Sequence, residues 1–262
     1  MEKQNIPSLR PLLFIGCAGV CLALAFLWFF SSLSLAEERL LPVYRVKTQR
    51  PAVALTFDAA WGNQDMDQIL SVLKEYDASA TFFITGDFAR SYSQDVRKLF
   101  LAGHCVANHS DTHPHINALS QEKALSDTLS CNQILEDLTG ERPKLYRGPY
   151  GEYNDRLLTM LDEKNMVCIQ WDVDSLDWKD LTKDEITRRV VEKAEKGSIV
   201  LLHCGARYTA QALPAILSGL KEKGLECVRV DELMFMDNYR ILPDGTQESL
   251  LTPDEPAQDG RS

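Results

Sequence analysis

The sequence predicts an α/β fold built on parallel strands, and three observations support this prediction. Short apolar runs alternate with longer amphipathic segments, which is the order that parallel strands joined by crossover helices produce. The runs are continuously apolar, as expected of strands covered on both sides. Reactive side chains follow the ends of several different runs, and a barrel brings all such ends to one mouth. Periodicity alone fits a doubly wound open sheet equally well, and the third observation favours a (β/α) barrel of about seven parallel strands.

The elements follow one another along residues 51–236, the predicted main domain. Candidate strands are the runs AVALTF, ATFFIT, CVAN, KLYR, VCIQWDV, SIVLLH and CVRV. Candidate helices lie near residues 65–76, 88–102, 120–139, 154–164, 183–195 and 209–223. Two helices carry start signals, since Ser120 precedes one and Thr182 precedes another that has acidic residues in its first turn.

The N-terminus predicts a membrane segment. Residues 11–30, PLLFIGCAGVCLALAFLWFF, form an uncharged run that is long enough to cross about 30 Å of hydrocarbon as a helix. Basic residues before the run and an acidic pair after it predict residues 1–10 in the cytoplasm and the main domain outside the cell. A small-residue site after Ala36 also allows a cleaved signal peptide and secretion, but the length of the run favours an uncleaved anchor.

The composition of the rest of the chain indicates which segments are ordered and which classes of partner it can bind. Residues 31–50 are expected to be a linker, and residues 237–262, with little apolar content, a disordered tail. Five of the seven cysteines lie outside the apolar run and show no CxxC spacing, so buried thiols are expected. A net charge of -10 argues against a nucleic-acid partner. No glycine-rich phosphate loop follows a strand, so no nucleotide partner is expected.

The strongest local signal is NHSDTHPH, residues 108–115. His109 and His113 are four positions apart, so if the segment turns helically both imidazoles face the same way and can share a metal ion such as zinc. A polar loop whose histidines contact water fits this spacing equally well. His115 is the expected bystander, and His104, at the start of its strand, is expected to be structural.

A second signal is YRGPYGEYN, residues 146–154. Pro149 and Gly151 predict a tight turn that would expose the N–H of Tyr150 as a donor to a developing oxyanion. Arg147 could pair with a carboxylate in the barrel mouth. By itself the stretch is only a turn with an arginine.

A third signal comes from WDVDSLDW and VLLHCG. Asp174 could orient His203 and raise its basicity, which would make the pair a general acid. Trp178 and Leu201 would offer an apolar wall. The commoner fate of such residues is a core tryptophan and a satisfied buried histidine.

The order and spacing of these stretches are more specific than any one of them. TFD, HSDTH, RGPYG, DSLDW and LLH, across residues 56–203, resemble the five motifs of the polysaccharide deacetylase family, also called NodB-homology carbohydrate esterases of family 4. The TFDAAWG form is most similar to the sporulation-associated branch of spore-forming bacteria. The resemblance implies a distorted (β/α) barrel that removes acetyl groups from N-acetylated sugars, here of cell-wall or spore-wall glycan, with a divalent metal.

The resemblance also implies roles for the metal and the base. His109 and His113 would be metal ligands for zinc, which cobalt or nickel could replace. Asp58 would be the general base that takes a proton from the attacking water, and Arg147 would orient Asp58.

The resemblance further implies which residues contact the leaving amine, the oxyanion and the acetyl methyl group. His203, tuned by Asp174, would protonate the sugar amine. The N–H of Tyr150 would hold the oxyanion, and Leu201 with Trp178 would line a pocket for the acetyl methyl group.

Ala59 departs from the family pattern, because active members usually carry two adjacent aspartates and use the second as a metal ligand. Three outcomes are open: Asp58 binds the metal itself, Asn63 or Asp65 replaces the missing ligand, or the metal is weak or absent. The last outcome would make the chain a glycan-binding pseudoenzyme. Retention of the other site residues favours an enzyme, and amide hydrolysis on a non-carbohydrate substrate also stays open.

Overall fold

A parallel sheet forms the core of the computed structural model, which describes residues 40–179 and 181–251. These residues belong to one compact unit that begins at Leu40. The strands are β1 (Arg45–Val46), β2 (Ala52–Ala59), β3 (Thr81–Ile84), β4 (Cys105–Asn108), β5 (Leu145–Tyr146), β6 (Val167–Cys168), β7 (Val173–Asp174), β8 (Ile199–His203), β9 (Glu226–Val228), β10 (Tyr239–Ile241) and β11 (Thr246–Ser249).

The main sheet has eight strands in the order β6-β5-β4-β3-β2-β8-β7, with β9 pairing to β2 off this path. Every pairing within it is parallel. The predicted parallel strands are therefore confirmed. The sheet is a curled half-barrel and not a closed barrel. Strands β6 and β7 follow each other in the chain but form the two ends of the strand order.

The run VCIQWDV, predicted as one strand, forms two. Between β6 and β7 the chain makes only an isolated bridge from Ile169 to Val43. The carbonyl oxygens of Ile169 and Gln170 instead accept hydrogen bonds from the guanidinium of Arg147, at 3.3 and 3.0 Å. Arg147 thus satisfies these two carbonyls in place of a neighbouring strand, and the sheet opens at this point.

Helices cover the sheet between its strands. They are α1 (Met66–Glu75), α2 (Gly86–Ser91), α3 (Ser93–Leu101), α4 (Gln121–Thr139), α5 (Asp155–Asp162), α6 (Lys183–Lys193), α7 (Thr209–Glu222) and α8 (Val230–Leu233). Five of the six predicted helices are confirmed to within two residues at each end. The predicted helix 88–102 is broken at Tyr92, whose φ of -130° is not helical. The caps at Ser120 and Thr182 form as predicted.

The two faces of β2 explain where the site lies. Val53, Leu55, Phe57 and Ala59 belong to the apolar cluster that includes buried residues of α1, α2, α3, α6 and α7. The alternate residues point to the inner face of the curled sheet, where Ala52 and Ala54 join a second apolar cluster. Two polar residues, Thr56 and Asp58, continue this inner face toward the carboxyl end of the strand.

The predicted disordered tail and linker are wrong for the residues described. Strands β10 and β11 pair antiparallel, and β11 pairs parallel with β1, which lies in the predicted linker. Gly245 has a φ of 81°, and the carboxylate of Asp244 accepts a hydrogen bond from the N–H of Thr246. The side chain of the buried Gln247 also forms hydrogen bonds with the N–H and the carbonyl of Phe235. These contacts order a segment whose composition alone predicts disorder.

Two further predictions concern cysteines and the membrane. The cysteines of the described residues, Cys105, Cys131, Cys168, Cys204 and Cys227, are free and fully or partly buried, as predicted. The predicted membrane segment, residues 11–30, lies outside the described residues. Within 40–179 and 181–251, no helix combines the length and apolar character needed to cross a membrane.

Candidate active site

The centre of the site is an ion pair between Asp58 and Arg147. Arg147 is fully buried, and its Nη1 donates to Asp58 Oδ1 at 2.7 Å and to Thr56 Oγ1 at 2.9 Å. Its guanidinium carbon lies 4.1 Å from the centre of the Phe83 ring. Burial raises the pKa of Asp58, but the positive charge of Arg147, with smaller effects from His109 and His203 and from the Arg147 hydrogen bond, outweighs burial and lowers this pKa overall. Asp58 is therefore a carboxylate at neutral pH, and the structure brings it to Arg147 as predicted.

His109 follows β4 and faces Asp58. Its Nδ1 is 2.8 Å from the carbonyl oxygen of Arg147, so Nδ1 carries the proton and the lone pair of Nε2 is left free. Nε2 lies 3.6 Å from Asp58 Oδ2. Burial lowers the pKa of His109 and outweighs the opposite effect of Asp58, so the ring is neutral and this contact is not an ion pair.

His113 lies close to His109, but the backbone conformation that brings them together is not the predicted helical turn. The two ring centres are 5.0 Å apart. The segment is not helical, however, because Ser110 and His113 have positive φ values of 70° and 53°. Two side chains stabilise this loop: Asn108 accepts from the N–H of Ser110, and Ser110 Oγ accepts from the N–H of His113. Burial, with a smaller effect from the neighbouring His109, lowers the pKa of His113 to about 4.

Ala59 lies outside the cavity that these residues line. Its side chain is fully buried in the apolar cluster on the helix side of β2, whereas Asp58 and Ala60 line the cavity. The suggested substitutes are engaged elsewhere. Asn63 donates to Asp95 at 2.7 Å, and both carboxylate oxygens of Asp65 accept from the N–H of Gly205.

The prediction that Asp174 orients His203 is wrong, because Asp177 holds that position. Asp177 Oδ1 lies 2.7 Å from His203 Nδ1, and its Oδ2 accepts from the N–H of His203 and from Thr209 Oγ1. Asp174 Oδ1 instead accepts from the N–H of Leu176. With φ at 55°, Leu176 starts the 3-10 turn that directs Asp177 inward, and neither that turn nor the choice between two aspartates is visible in DSLDW.

His203 lies directly opposite Asp58 in the pairing of β8 with β2. Burial lowers the pKa of His203, but the hydrogen bond and charge of Asp177, with smaller effects from Asp58 and Asp174, raise it overall. Asp177 therefore keeps Nδ1 protonated and leaves Nε2 as the position from which a proton can be given. That arrangement is the one a general acid requires.

A cavity of about 430 Å³ joins these groups, and its lining includes eight of the nine predicted site residues, all except the fully buried Arg147. Tyr150, with a φ of 59°, forms the tight turn predicted between Pro149 and Gly151. Sequence reasoning missed Trp61, whose ring stacks on His203 with centres 5.7 Å apart. The lining residues are Asp58, Ala60, Trp61, His109, His113, Tyr150, Gly151, Trp171, Asp174, Trp178, Leu201 and His203.

His115 and His104 lie outside this lining. His115 forms a pair with Glu152 at 2.7 Å and stacks on the ring of Tyr150, so it contacts the rim of the site. His104 is buried against Phe82 at the start of β4, which agrees with a structural role. Burial lowers the pKa of His104 to about 4.

Comparison with known proteins identifies the family. The polysaccharide deacetylase family model matches residues 45–169. The peptidoglycan-N-acetylglucosamine deacetylase of Bacillus cereus is 32% identical over 185 residues, which are 69% of this chain and 67% of that protein. This chain belongs to the polysaccharide deacetylase family.

Other members of this family extend the comparison. PdaC of Bacillus subtilis, a peptidoglycan-N-acetylmuramic acid deacetylase, is 36% identical over 188 residues, 72% of this chain. The solved structure of BA3943 from Bacillus anthracis, described as a carbohydrate esterase family 4 pseudoenzyme, superposes with a TM-score of 0.71 at 33% identity, covering 75% of this chain and 69% of that chain. The chain spans 40% of the length of PdaC and 62% of that of Bacillus subtilis YlxY.

Membership in the polysaccharide deacetylase family implies a divalent metal, and the residues present fit it in part. His109 and His113 are neutral and adjacent, and the Nδ1 hydrogen bond of His109 leaves Nε2 free to coordinate. At the position where the family pattern would supply a third ligand, this chain has Ala59, an apolar side chain directed into the helix layer. Among the described residues, no three or more His, Cys, Asp or Glu side chains are arranged to hold a metal ion.

Proposed function

We propose that this chain is a hydrolase that removes N-acetyl groups from the N-acetyl sugars of cell-wall or spore-wall peptidoglycan. The observation that carries the proposal is the meeting, across one cavity, of a carboxylate paired with a buried arginine and a histidine paired with a buried aspartate. Asp58 and His203 lie opposite each other at the ends of neighbouring strands. A proton acceptor and a proton donor facing each other are what amide hydrolysis requires.

The residues of this chain divide the reaction between them. Asp58 takes the proton of the attacking water through Oδ2, because Oδ1 is bonded to Arg147. The N–H of Tyr150 stabilises the oxyanion, and His203 gives its Nε2 proton to the sugar amine as it leaves. Trp178 and Leu201 hold the acetyl methyl group and exclude water.

We further propose that His109 and His113 hold the divalent ion, with zinc preferred because imidazole suits it and cobalt or nickel as substitutes. The chemistry that such an ion supplies is a lower pKa for the attacking water, to about 7. With Ala59 in place of a carboxylate, Asp58 is the nearest charged oxygen to His109. We therefore expect weaker metal binding than a site with two imidazoles and a free carboxylate would give.

A second candidate function, a glycan-binding pseudoenzyme, is favoured by Ala59 and by the likeness to BA3943. A mutant of that pseudoenzyme is described as having restored enzymatic activity. A similar arrangement here would keep the cavity and both proton-transfer groups and would lack the metal. One substitution, Ala59→Asp, separates the two functions.

We expect the full-length chain to release acetate from N-acetylglucosamine oligomers or from peptidoglycan when zinc, cobalt or nickel is added. His109→Ala should lower this rate by roughly 100-fold or more, because even partners that only orient a metal ligand are worth 10- to 100-fold. Metal content and acetate release are measured together, with His104→Gln as the matched control outside the cavity. If the natural chain releases no acetate with any of these metals and Ala59→Asp does, the pseudoenzyme proposal replaces this one.

We also propose that residues 11–30 anchor the chain in the cytoplasmic membrane with the catalytic domain outside, and that the chain acts in sporulation. The uncharged run between basic and acidic flanks supports the anchor, and the TFDAAWG form supports sporulation. We expect the full chain to sediment with membranes and to resist extraction at high salt. External protease should digest the main domain in spheroplasts while a cytoplasmic marker stays intact. Recovery of the chain in the soluble fraction, cut after Ala36, would instead support secretion.

A further inference from the structure

Exposed aromatic side chains cluster around the cavity of the candidate active site. Trp61, Tyr150 and Trp178 are 56%, 60% and 52% exposed, and all three line it. They follow three different strands, β2, β5 and β7. Elsewhere in the described part of the chain, the large hydrophobic side chains that are exposed are aliphatic: Leu40, Leu101, Met236, Leu250 and Leu251. Among the described residues, the well-exposed Tyr and Trp side chains therefore all line this cavity.

Trp61 is held in a fixed orientation. One face of its indole stacks on the His203 ring, with 21° between the planes. The loop that carries it is tied to the loop after His203, because Asp65 accepts from the N–H of Gly205 and Gln64 donates to the carbonyl of Gly205. His203 thus covers one indole face, the His113 ring is tilted against the indole with centres 6.4 Å apart, and the 56% exposure of the side chain leaves the face opposite His203 to solvent. A ring that is already fixed loses little conformational freedom when a ligand packs on it.

The open face of Trp61 matches a sugar ring in its chemistry. Exposing apolar surface to water costs about 25 cal/mol for each Å², so three exposed aromatic rings around one cavity indicate a ligand-binding surface. A pyranose presents C–H bonds on its faces and hydroxyl groups at its edge. The weakly positive C–H hydrogens pack on the negative face of an aromatic ring, while the hydroxyls stay in water.

We propose that Trp61 is a stacking platform for a pyranose ring of the glycan, a proposal that rests on the proposed function. The covered face lies on His203, the proton donor to the leaving amine. A sugar on the opposite face is separated from His203 by the indole, and so it is a neighbour of the reacting sugar along the glycan. Trp61 is therefore a positioning residue that makes the site select linked sugars over a single one.

The test is calorimetric binding of N-acetylglucosamine and of its β-1,4-linked tetramer to the full-length chain. We expect Trp61→Ala to weaken tetramer binding by roughly tenfold or more, as expected for a central aromatic contact, and to change monosaccharide binding little. Trp61→Phe should keep most of the tetramer affinity, because it retains an aromatic face. Leu101→Ala, which removes an exposed side chain elsewhere, should leave both affinities unchanged.

Two results would overturn this proposal. One is a tetramer affinity that is the same in the natural chain and in Trp61→Ala, and the other is no tetramer binding by the natural chain. Acetate release tests the hydrolase separately. Tetramer binding that depends on Trp61 without any acetate release would keep the platform and reject the deacetylase. Acetate release that is independent of Trp61 would do the reverse.

Discussion

Arg147→Ala should lower the free energy of unfolding by about 3–5 kcal/mol and reduce acetate release by roughly 100-fold or more. The substitution leaves Asp58 buried without its cation and removes the donors to the carbonyls of Ile169 and Gln170. An uncompensated buried charge is among the most costly single changes a protein can carry. Urea unfolding at neutral pH and the acetate assay measure the two losses.

Arg142 offers the matched control for this substitution. Its guanidinium is paired with Glu136 at 2.7 Å, but both side chains are well exposed, so Arg142→Ala should cost under about 1 kcal/mol. Adding Asp58→Asn to Arg147→Ala should restore part of the lost stability, because the second change removes the unpaired carboxylate. Equal stabilities for Arg147→Ala and Arg142→Ala would contradict the assignment of Arg147 as the partner of Asp58.

The pH dependence of this loss follows from the pKa of Asp58. In the folded chain this pKa lies below its ordinary value, so the carboxylate contributes stability above the unfolded pKa and loses it as the pH falls. Without Arg147, burial becomes the dominant cause and should raise the pKa of Asp58, so the sign reverses. The stability gap between the natural chain and Arg147→Ala should therefore be wider at pH 7 than at about pH 4.5.

The features that the sequence predicts well are those set by strand ends. Asp58, His109, Arg147 and His203 each end or follow a strand of the same parallel sheet, and parallel strands put their carboxyl ends along one edge. Such residues lie near one another regardless of the conformation of the connecting loops. The order of the motifs is therefore enough to predict the pair of Asp58 and Arg147 and the position of His109 and His203 beside it.

Loop conformation limits what the sequence predicts. The two histidines meet through positive φ angles at Ser110 and His113 rather than through a helical turn. Asp177 replaces Asp174 because Leu176 takes a left-handed conformation. Both conformations depend on contacts that are distant in sequence. Asn108, which accepts from the N–H of Ser110, itself donates to the carbonyl of Thr128 and to Asn132, and Thr209 donates to Asp177.

The side on which Ala59 points also depends on tertiary structure. Strand alternation places Asp58 on the inner face and Ala59 among the helices, so position 59 is both chemically and sterically part of the apolar core. A carboxylate introduced there must leave that core to reach His109 and His113. We infer that Ala59→Asp would add a ligand at some cost in stability. Metal content should therefore be measured together with activity in any test of this site.

Asp177→Asn should lower kcat for acetate release by roughly 100- to 10,000-fold with little change in KM. Asp177 holds Nδ1 of His203 protonated and raises the pKa of that ring, which burial alone would lower. His203 acts as an acid, so activity falls as the pH rises through its pKa. An amide at position 177 removes the charge, lowers the pKa of His203, and should shift the alkaline limb of the pH–rate profile to lower pH.

Asp174→Asn is the control that distinguishes the two aspartates. Asp174 lines the cavity but bonds the backbone of Leu176, and it raises the pKa of His203 only weakly and through charge. We expect a small loss of kcat and a small displacement of the alkaline limb. Thr209→Val, which removes one hydrogen bond to Asp177 Oδ2 and keeps the bond to His203, measures how much of the effect is structural. A loss in Asp174→Asn that equals the loss in Asp177→Asn, or an unmoved limb in Asp177→Asn, would show that His203 is not the acid whose pKa Asp177 sets.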